Sequence, residues 1–314
     1  MKKLLSGEVV RWVGFGVTAL AMGLVVWSIY TSDLLDSDAW KNPKVLTAVV
    51  VAAAIFVPSL LCVAAAWYLL IVSLSKVQIS WLEGYSIYAV SAIYRYIPSN
   101  IVHYVGRYYM LRQRGVEHSV VAWSILAETA LLVAASTLVA FTFGAPLIRQ
   151  TVLSAAQDSW LLEAVAILAT IVLAGAAVLI GKRRGVIREL VRPLLCANVV
   201  YAGVAALLLN VAARVISGVA LWWLAAQLLG PETPSAADTI AIWAAAWLLG
   251  YITPGASAGL GVREAVIIAS LSGLGVPMAG ATLVAIAFRV TTTISDLIFA
   301  GSGWMSRHFL ESRP

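Results

Sequence analysis

Residues 96–107 read Tyr-Ile-Pro-Ser-Asn-Ile-Val-His-Tyr-Val-Gly-Arg, and residues 251–264 read Tyr-Ile-Thr-Pro-Gly-Ala-Ser-Ala-Gly-Leu-Gly-Val-Arg-Glu. Each stretch interrupts an otherwise apolar region. Pro98 and Pro254 remove a backbone donor and stop a helix. Gly255, Gly259 and Gly261 lack a Cβ, so backbone can approach backbone or ligand closely. What such breaks mean depends on the solvent around them. The chain has 314 residues, 61% of them hydrophobic and only 11% charged, with a mean hydropathy of +0.93. Soluble domains carry roughly 25% charged residues. This much apolar surface needs a bilayer as its solvent. Non-helical backbone at membrane depth is tolerated only where protein buries it or where it lines a cavity.

Working outward, six runs are long enough to span about 30 Å of hydrocarbon. They are 9–30, 45–75, 119–143, 159–181, 197–229 and 276–303. Two further regions, 77–116 and 238–274, hold the breaks, each flanked by short helical pieces. The expected fold is an all-α integral membrane protein: one membrane domain over 1–314, with about six full spans and two re-entrant segments. The net charge of +6 does not mark a nucleic-acid partner, because the basic residues fall in short loops. With a cytoplasmic N-terminus, fifteen of the 21 Lys and Arg side chains lie inside and three (Lys41, Lys44 and Arg149) lie outside. Arg214, Arg263 and Arg289 remain near the membrane. This bias fits a multi-pass protein of the cell inner membrane with both termini cytoplasmic. Cys62 and Cys196 are isolated, so neither a disulfide framework nor a metal site is expected.

The two broken stretches resemble each other. Tyr96-Ile97-Pro98, Gly106-Arg107 and Gly115-Val116 recur as Tyr251-Ile252, Pro254, Gly261, Arg263 and Gly275-Val276. The halves, about 1–150 and 151–314, each read span, span, broken segment, span. An odd number of full spans per half makes the second copy inverted, with one segment entering from each side. That pattern points to a transporter-like site at the repeat interface.

The chemistry-bearing residues cluster at the breaks. Ser99 and Asn100 are N-cap candidates for the helix after Pro98, whose N-terminus suits an anion. Asn100, His103 and Arg107 recur at spacings of three and four and share one helical face. His103 by itself reads as a neutral, hydrogen-bonded side chain. Gly106 is a structural position. Arg263 and Glu264 are sequence neighbours, so each needs its own partner. Glu128, Arg214, Arg289 and Asp296 lie inside expected spans, where charges face the protein interior and pair. Glu264 or Glu128 would serve the arginines, and Arg263 would serve Asp296. Trp222, Trp223, Trp243 and Trp247 read as an interfacial belt. No nucleotide, metal or nucleophile motif is present, and no cofactor is expected.

Residues 96–107 resemble the Y-[I/L]-P-G-N-x-x-H-x-x-G-R element of the lysylphosphatidylglycerol synthase transmembrane-region family. Residues 253–265 resemble that family's P-G-x-x-x-G-[L/I]-G-x-R-E element. The family includes the flippase half of the multiple peptide resistance factor. Ser99 stands where glycine is usual, and Thr129 stands where an arginine commonly follows Glu128. A soluble aminoacyl-transferase domain is lacking, so synthase activity is not implied. The resemblance implies translocation or related handling of a polar lipid. The expected function is therefore a flippase-like transporter with membrane lipid as substrate, rather than an enzyme. Asn100, His103, Arg107, Gly255, Gly259, Gly261, Arg263 and Glu264 would contact the head group. Pro98, Gly106, Glu128, Pro254, Arg289 and Asp296 would be structural or paired. A lipid-modifying transferase, a non-transporting accessory subunit of an envelope glycolipid pathway and a homo-oligomer are the alternatives to weigh.

Overall fold

The computed structural model describes residues 43–96, 102–155, 196–253 and 259–312. The expected spans at 9–30 and 159–181, and Pro98, Asn100, Pro254 and Gly255, lie outside these residues. Eight α-helices and no strands occur among the described residues. They are α1 (Pro43–Leu74), α2 (Trp81–Ala92), α3 (Val102–Gln113), α4 (His118–Ala155), α5 (Ala197–Leu229), α6 (Ala236–Ile252), α7 (Val262–Gly273) and α8 (Met278–Glu311). A 3-10 turn, Ile93–Tyr96, extends α2 to the first break. Helices α1, α4, α5 and α8 are long and apolar enough to cross a membrane, whereas α6 is shorter. The protein is an all-α membrane protein that crosses the bilayer several times.

The local sequence sets the ends of these helices. Ser80 caps α2 by accepting from the Glu83 backbone N–H at 3.4 Å. Ser235 caps α6 in the same way, accepting from Asp238 at 3.1 Å. In both cases an acidic residue three places after the serine sits where the helix dipole favours negative charge. Helices α3 and α7 end in the same turn. Leu111 accepts from the amides of Arg114 and Val116, and Leu271 accepts from those of Leu274 and Val276. Gly115 (φ +79°) and Gly275 (φ +91°) take the left-handed position, which a side chain would strain. Ser235 stands 155 positions after Ser80, and Leu271 stands 160 positions after Leu111. The caps and turns of the two broken regions thus match on both sides of the break, and the second region is five residues longer across it.

Packing follows an exchange. Helix α2 packs mainly against α8, and α6 packs mainly against α4. Each broken region's first helix therefore leans on the long helix that follows the other break. Helices α1 and α5 make the most extensive contact of the fold and sit between these pairs. Close approach is achieved by small residues, as membrane helices require. A Cβ on Gly303 of α8 would meet the Ala89 Cβ of α2 at 2.4 Å. A Cβ on Gly218 of α5 would meet the Ile240 Cα of α6 at 2.7 Å. The core runs through this centre, with Trp67, Phe288 and Phe299 among its largest fully buried side chains. Outward-facing Leu46, Leu138, Leu208 and Ile298 are exposed to the lipid.

Candidate functional site

A cavity of about 290 Å³ lies at the meeting point of the two broken regions. The first region contributes Tyr88, Arg95, His103, Tyr104 and Arg107 to its wall. The second contributes Trp243, Trp247, Gly250, Tyr251, Gly259 and Arg263. Long helices close it with Ser59, Glu128, Thr129, Arg214, Ser217 and Asp296. Six charged side chains line this largely apolar cavity, and they divide into two sets.

The first set is neutralised within the protein. Arg107 is 1% exposed and its Nη1 donates to Glu128 Oε2 at 2.5 Å. Glu128 also accepts from Tyr88 Oη at 2.9 Å. The guanidinium lies 4.1 Å from the Tyr88 ring centre and 4.8 Å from that of Trp67. Aromatic faces and a carboxylate together compensate a cation that burial would otherwise penalise. Gly106, the preceding residue, leaves room for the Tyr94 ring, which a Cβ would meet at 2.7 Å. Arg95 reaches Asp296 at 3.5 Å, and Tyr96 Oη donates to the other oxygen of Asp296 at 2.8 Å.

The second set has no carboxylate partner among the described residues. Arg214, 5% exposed, lies with its guanidinium 4.0 Å from the Trp247 ring centre. Arg263 lies 5.7 Å from the same ring and 5.8 Å from that of Trp243. The Nε of each arginine is buried without a hydrogen-bond partner. The side chain of Arg263 occupies a cleft between two glycines. A Cβ on Gly250 would meet its Cγ at 2.7 Å, and one on Gly259 would meet its Nε at 2.6 Å. Trp247 stacks on Tyr251 at 4.8 Å with an 11° interplanar angle. Trp243 donates from Nε1 to Ser217 Oγ at 2.6 Å and packs edge-on to Phe288.

One contact ties the two broken regions directly. Tyr104 Oη and Tyr251 Oη are 2.5 Å apart, and Thr129 Oγ1 lies 3.3 Å from the first and 3.2 Å from the second. The corresponding positions in the second copy carry charge instead. Glu264 and Arg289 stand 160 places after Tyr104 and Thr129, and they form an ion pair at 3.4 Å.

The residues singled out from sequence are thus divided. His103, Arg107, Glu128, Gly259, Arg263 and Asp296 come together on the cavity wall. Glu264 and Arg289 pair with each other beside it, Gly261 (φ +79°) forms the N-cap of α7, and Gly106 packs on Tyr94. Asp296 takes Arg95 rather than the expected Arg263, because α8 lies against the 3-10 turn that carries Arg95. Trp243 and Trp247 belong to the cavity, not to an outer belt. Sequence reasoning also missed Arg95, Tyr104 and Tyr251 as site residues, and it read Arg214 as a paired interior charge rather than as part of the site. The available signal for Arg214 was an arginine in the middle of a 33-residue apolar helix.

No curated protein and no solved structure gave a significant match to the chain. The family profile described as "Lysylphosphatidylglycerol synthase TM region" matches residues 11–300. That match covers nearly the whole chain and contains both broken segments and every cavity residue. The chain therefore belongs to the lysylphosphatidylglycerol synthase TM region family and is a multi-pass membrane protein of that lipid-handling kind.

Proposed function

We propose that this protein is a flippase-like transporter that carries the polar head group of a membrane lipid through the central cavity while the tails remain in the bilayer. The observation that carries this reading is the cavity itself: it is charged, it lies between the two broken regions, and both regions supply its wall. The residue-by-residue match of caps and turns at offsets of 155 and 160 supports treating the halves 1–150 and 151–314 as an inverted repeat. The exchange of packing partners between them supports it further. In such transporters, substrate sites lie near the midplane at the repeat interface, and one repeat rocks against the other. Under this reading the two breaks are re-entrant. Loop charge supports cytoplasmic termini and an inner-membrane location. The chain carries no ATPase motif, so a gradient or passive exchange would drive transport.

A lipid-modifying transferase finds less support in the same geometry. The carboxylates that could act as a general base for such an enzyme are engaged, Asp296 by Arg95 and Tyr96. Glu128 is held by Arg107 and Tyr88, and Glu264 is held by Arg289. The test is reconstitution of the purified chain in liposomes with a fluorescent phospholipid in the inner leaflet. Transfer to the outer leaflet is expected to accelerate, and Arg263→Ala is expected to slow it by at least about tenfold, as loss of a charged hydrogen bond would. No acceleration over empty liposomes with several head groups would overturn the reading. So would an unchanged rate in Arg263→Ala.

A further inference from the structure

Charge on the cavity wall is unbalanced. Four arginines line it (Arg95, Arg107, Arg214 and Arg263) against two carboxylates, Glu128 and Asp296. Each carboxylate is already engaged by one arginine, at 2.5 Å for Arg107 and 3.5 Å for Arg95. Arg214 and Arg263 remain without a carboxylate among the described residues, both against the Trp247 ring and both with a buried, unpartnered Nε.

A buried cation without a partner is costly, and an aromatic face offsets only part of that cost. Two such cations beside one tryptophan would also repel each other. An arrangement of this kind is stable when a ligand supplies the missing negative charge. Guanidinium forks match phosphate oxygens in shape as well as charge.

We infer that the Arg214–Trp247–Arg263 site binds a group carrying two negative charges, a phosphomonoester or a diphosphate, in preference to a singly charged diester or a zwitterion. The inference rests on the transport reading only in calling the occupant a lipid. Phosphate oxygens face both guanidinium groups, those of Arg214 and Arg263. The buried His103 Nδ1, which lacks a partner, also lines the cavity and offers a further polar contact. The paired Arg107–Glu128 and Arg95–Asp296 units stay intact. The cavity, at about 290 Å³, is of head-group size, at the small end of ligand pockets of roughly 300–1,000 Å³.

The test uses the full chain in an uncharged detergent at pH 8.5, where a phosphomonoester is doubly ionised. Calorimetric titrations would compare dihexanoyl phosphatidic acid, dihexanoyl phosphatidylglycerol, dihexanoyl phosphatidylcholine and inorganic diphosphate. Phosphatidic acid is expected to bind at least about tenfold more tightly than phosphatidylglycerol, with phosphatidylcholine weakest. Arg214→Gln and Arg263→Gln should each remove most of that preference. Because each substitution deletes an uncompensated charge, neither should lower the melting midpoint of the ligand-free protein. Diphosphate binding as tightly as phosphatidic acid would support the doubly anionic class, with a water-soluble anion as occupant. Phosphatidylcholine binding as tightly as phosphatidic acid would overturn the inference. So would a preference that survives both substitutions, or a midpoint that falls in both. The liposome assay separates the two proposals. Tight phosphatidic acid binding without movement would sink transport and leave the charge inference standing, whereas movement indifferent to head-group charge would do the reverse.

Discussion

Arg107 and Arg263 each stand near the end of one sequence motif, at positions the offset of 160 does not equate, and they differ in what surrounds them. Arg107 is enclosed by Glu128, Tyr88 and Trp67, whereas Arg263 rests between two glycines and two tryptophans without a carboxylate among the described residues. Removing charge should therefore have opposite consequences at the two sites. Glu128→Gln would leave Arg107 buried and unpaired and should destabilise the protein by about 3–5 kcal/mol. The double variant Arg107→Gln/Glu128→Gln should recover much of that loss. Chemical unfolding in detergent micelles would check both, and additive losses in the double variant would refute the pairing. That Arg107, Glu128, Arg263 and Asp296 face the protein interior was legible in the sequence, because a charge inside an apolar run must face the protein. Which charges pair was not, since pairing depends on helix rotation and neighbours. Arg95 is the clearest instance. Loop charge assigned it to the cytoplasm, but the turn after α2 directs it to Asp296 on α8, 201 positions further along.

At the level of elements, the breaks bring short helices together at the cavity. Tyr104, in the first turn of α3, meets Tyr251, at the end of α6, through a direct hydrogen bond that Thr129 of α4 supports. This contact joins the two halves beside the cavity. Tyr104→Phe and Tyr251→Phe should each cost about 1 kcal/mol and the pair little more than either alone, a coupling of about 1 kcal/mol in a double-mutant cycle. Strict additivity would mean the hydroxyls do not act on each other. The helices themselves were well anticipated. The interrupted regions 77–116 and 238–274 resolve into α2 with α3 and α6 with α7, because proline and glycine act locally and leave a signal that sequence carries. Trp243 and Trp247 were misplaced for the opposite reason. Hydropathy gives depth along a helix but not the face on which a side chain lies.

Across the whole molecule, α2 with α8 and α6 with α4 form two crossed pairs around α1 and α5. The inverted reading of this arrangement places Asp238, at the start of α6, and Gln113, at the end of α3, on opposite sides of the membrane. With Cys62 and Cys196 replaced by serine, single cysteines at the two positions should separate cleanly. Asp238→Cys should react with an impermeant maleimide added to intact cells, and Gln113→Cys should react only after the cells are opened. Labelling of both from the same side would refute the inverted arrangement. The sequence offers the proposed repeat only as a faint recurrence of Tyr, Pro, Gly and Arg. The serine caps and glycine turns that support it gain meaning only when their hydrogen bonds are seen to match.

The crossed pairing also has a consequence for how the protein is made. Tyr96 and its partner Asp296 are 200 residues apart. At synthesis speeds of roughly 5–20 residues per second, roughly 10–40 seconds pass between their emergence from the ribosome. Until α8 emerges, Asp296 cannot neutralise Arg95 and α8 cannot cover α2. The packing of the first half is therefore completed only when α8 is delivered.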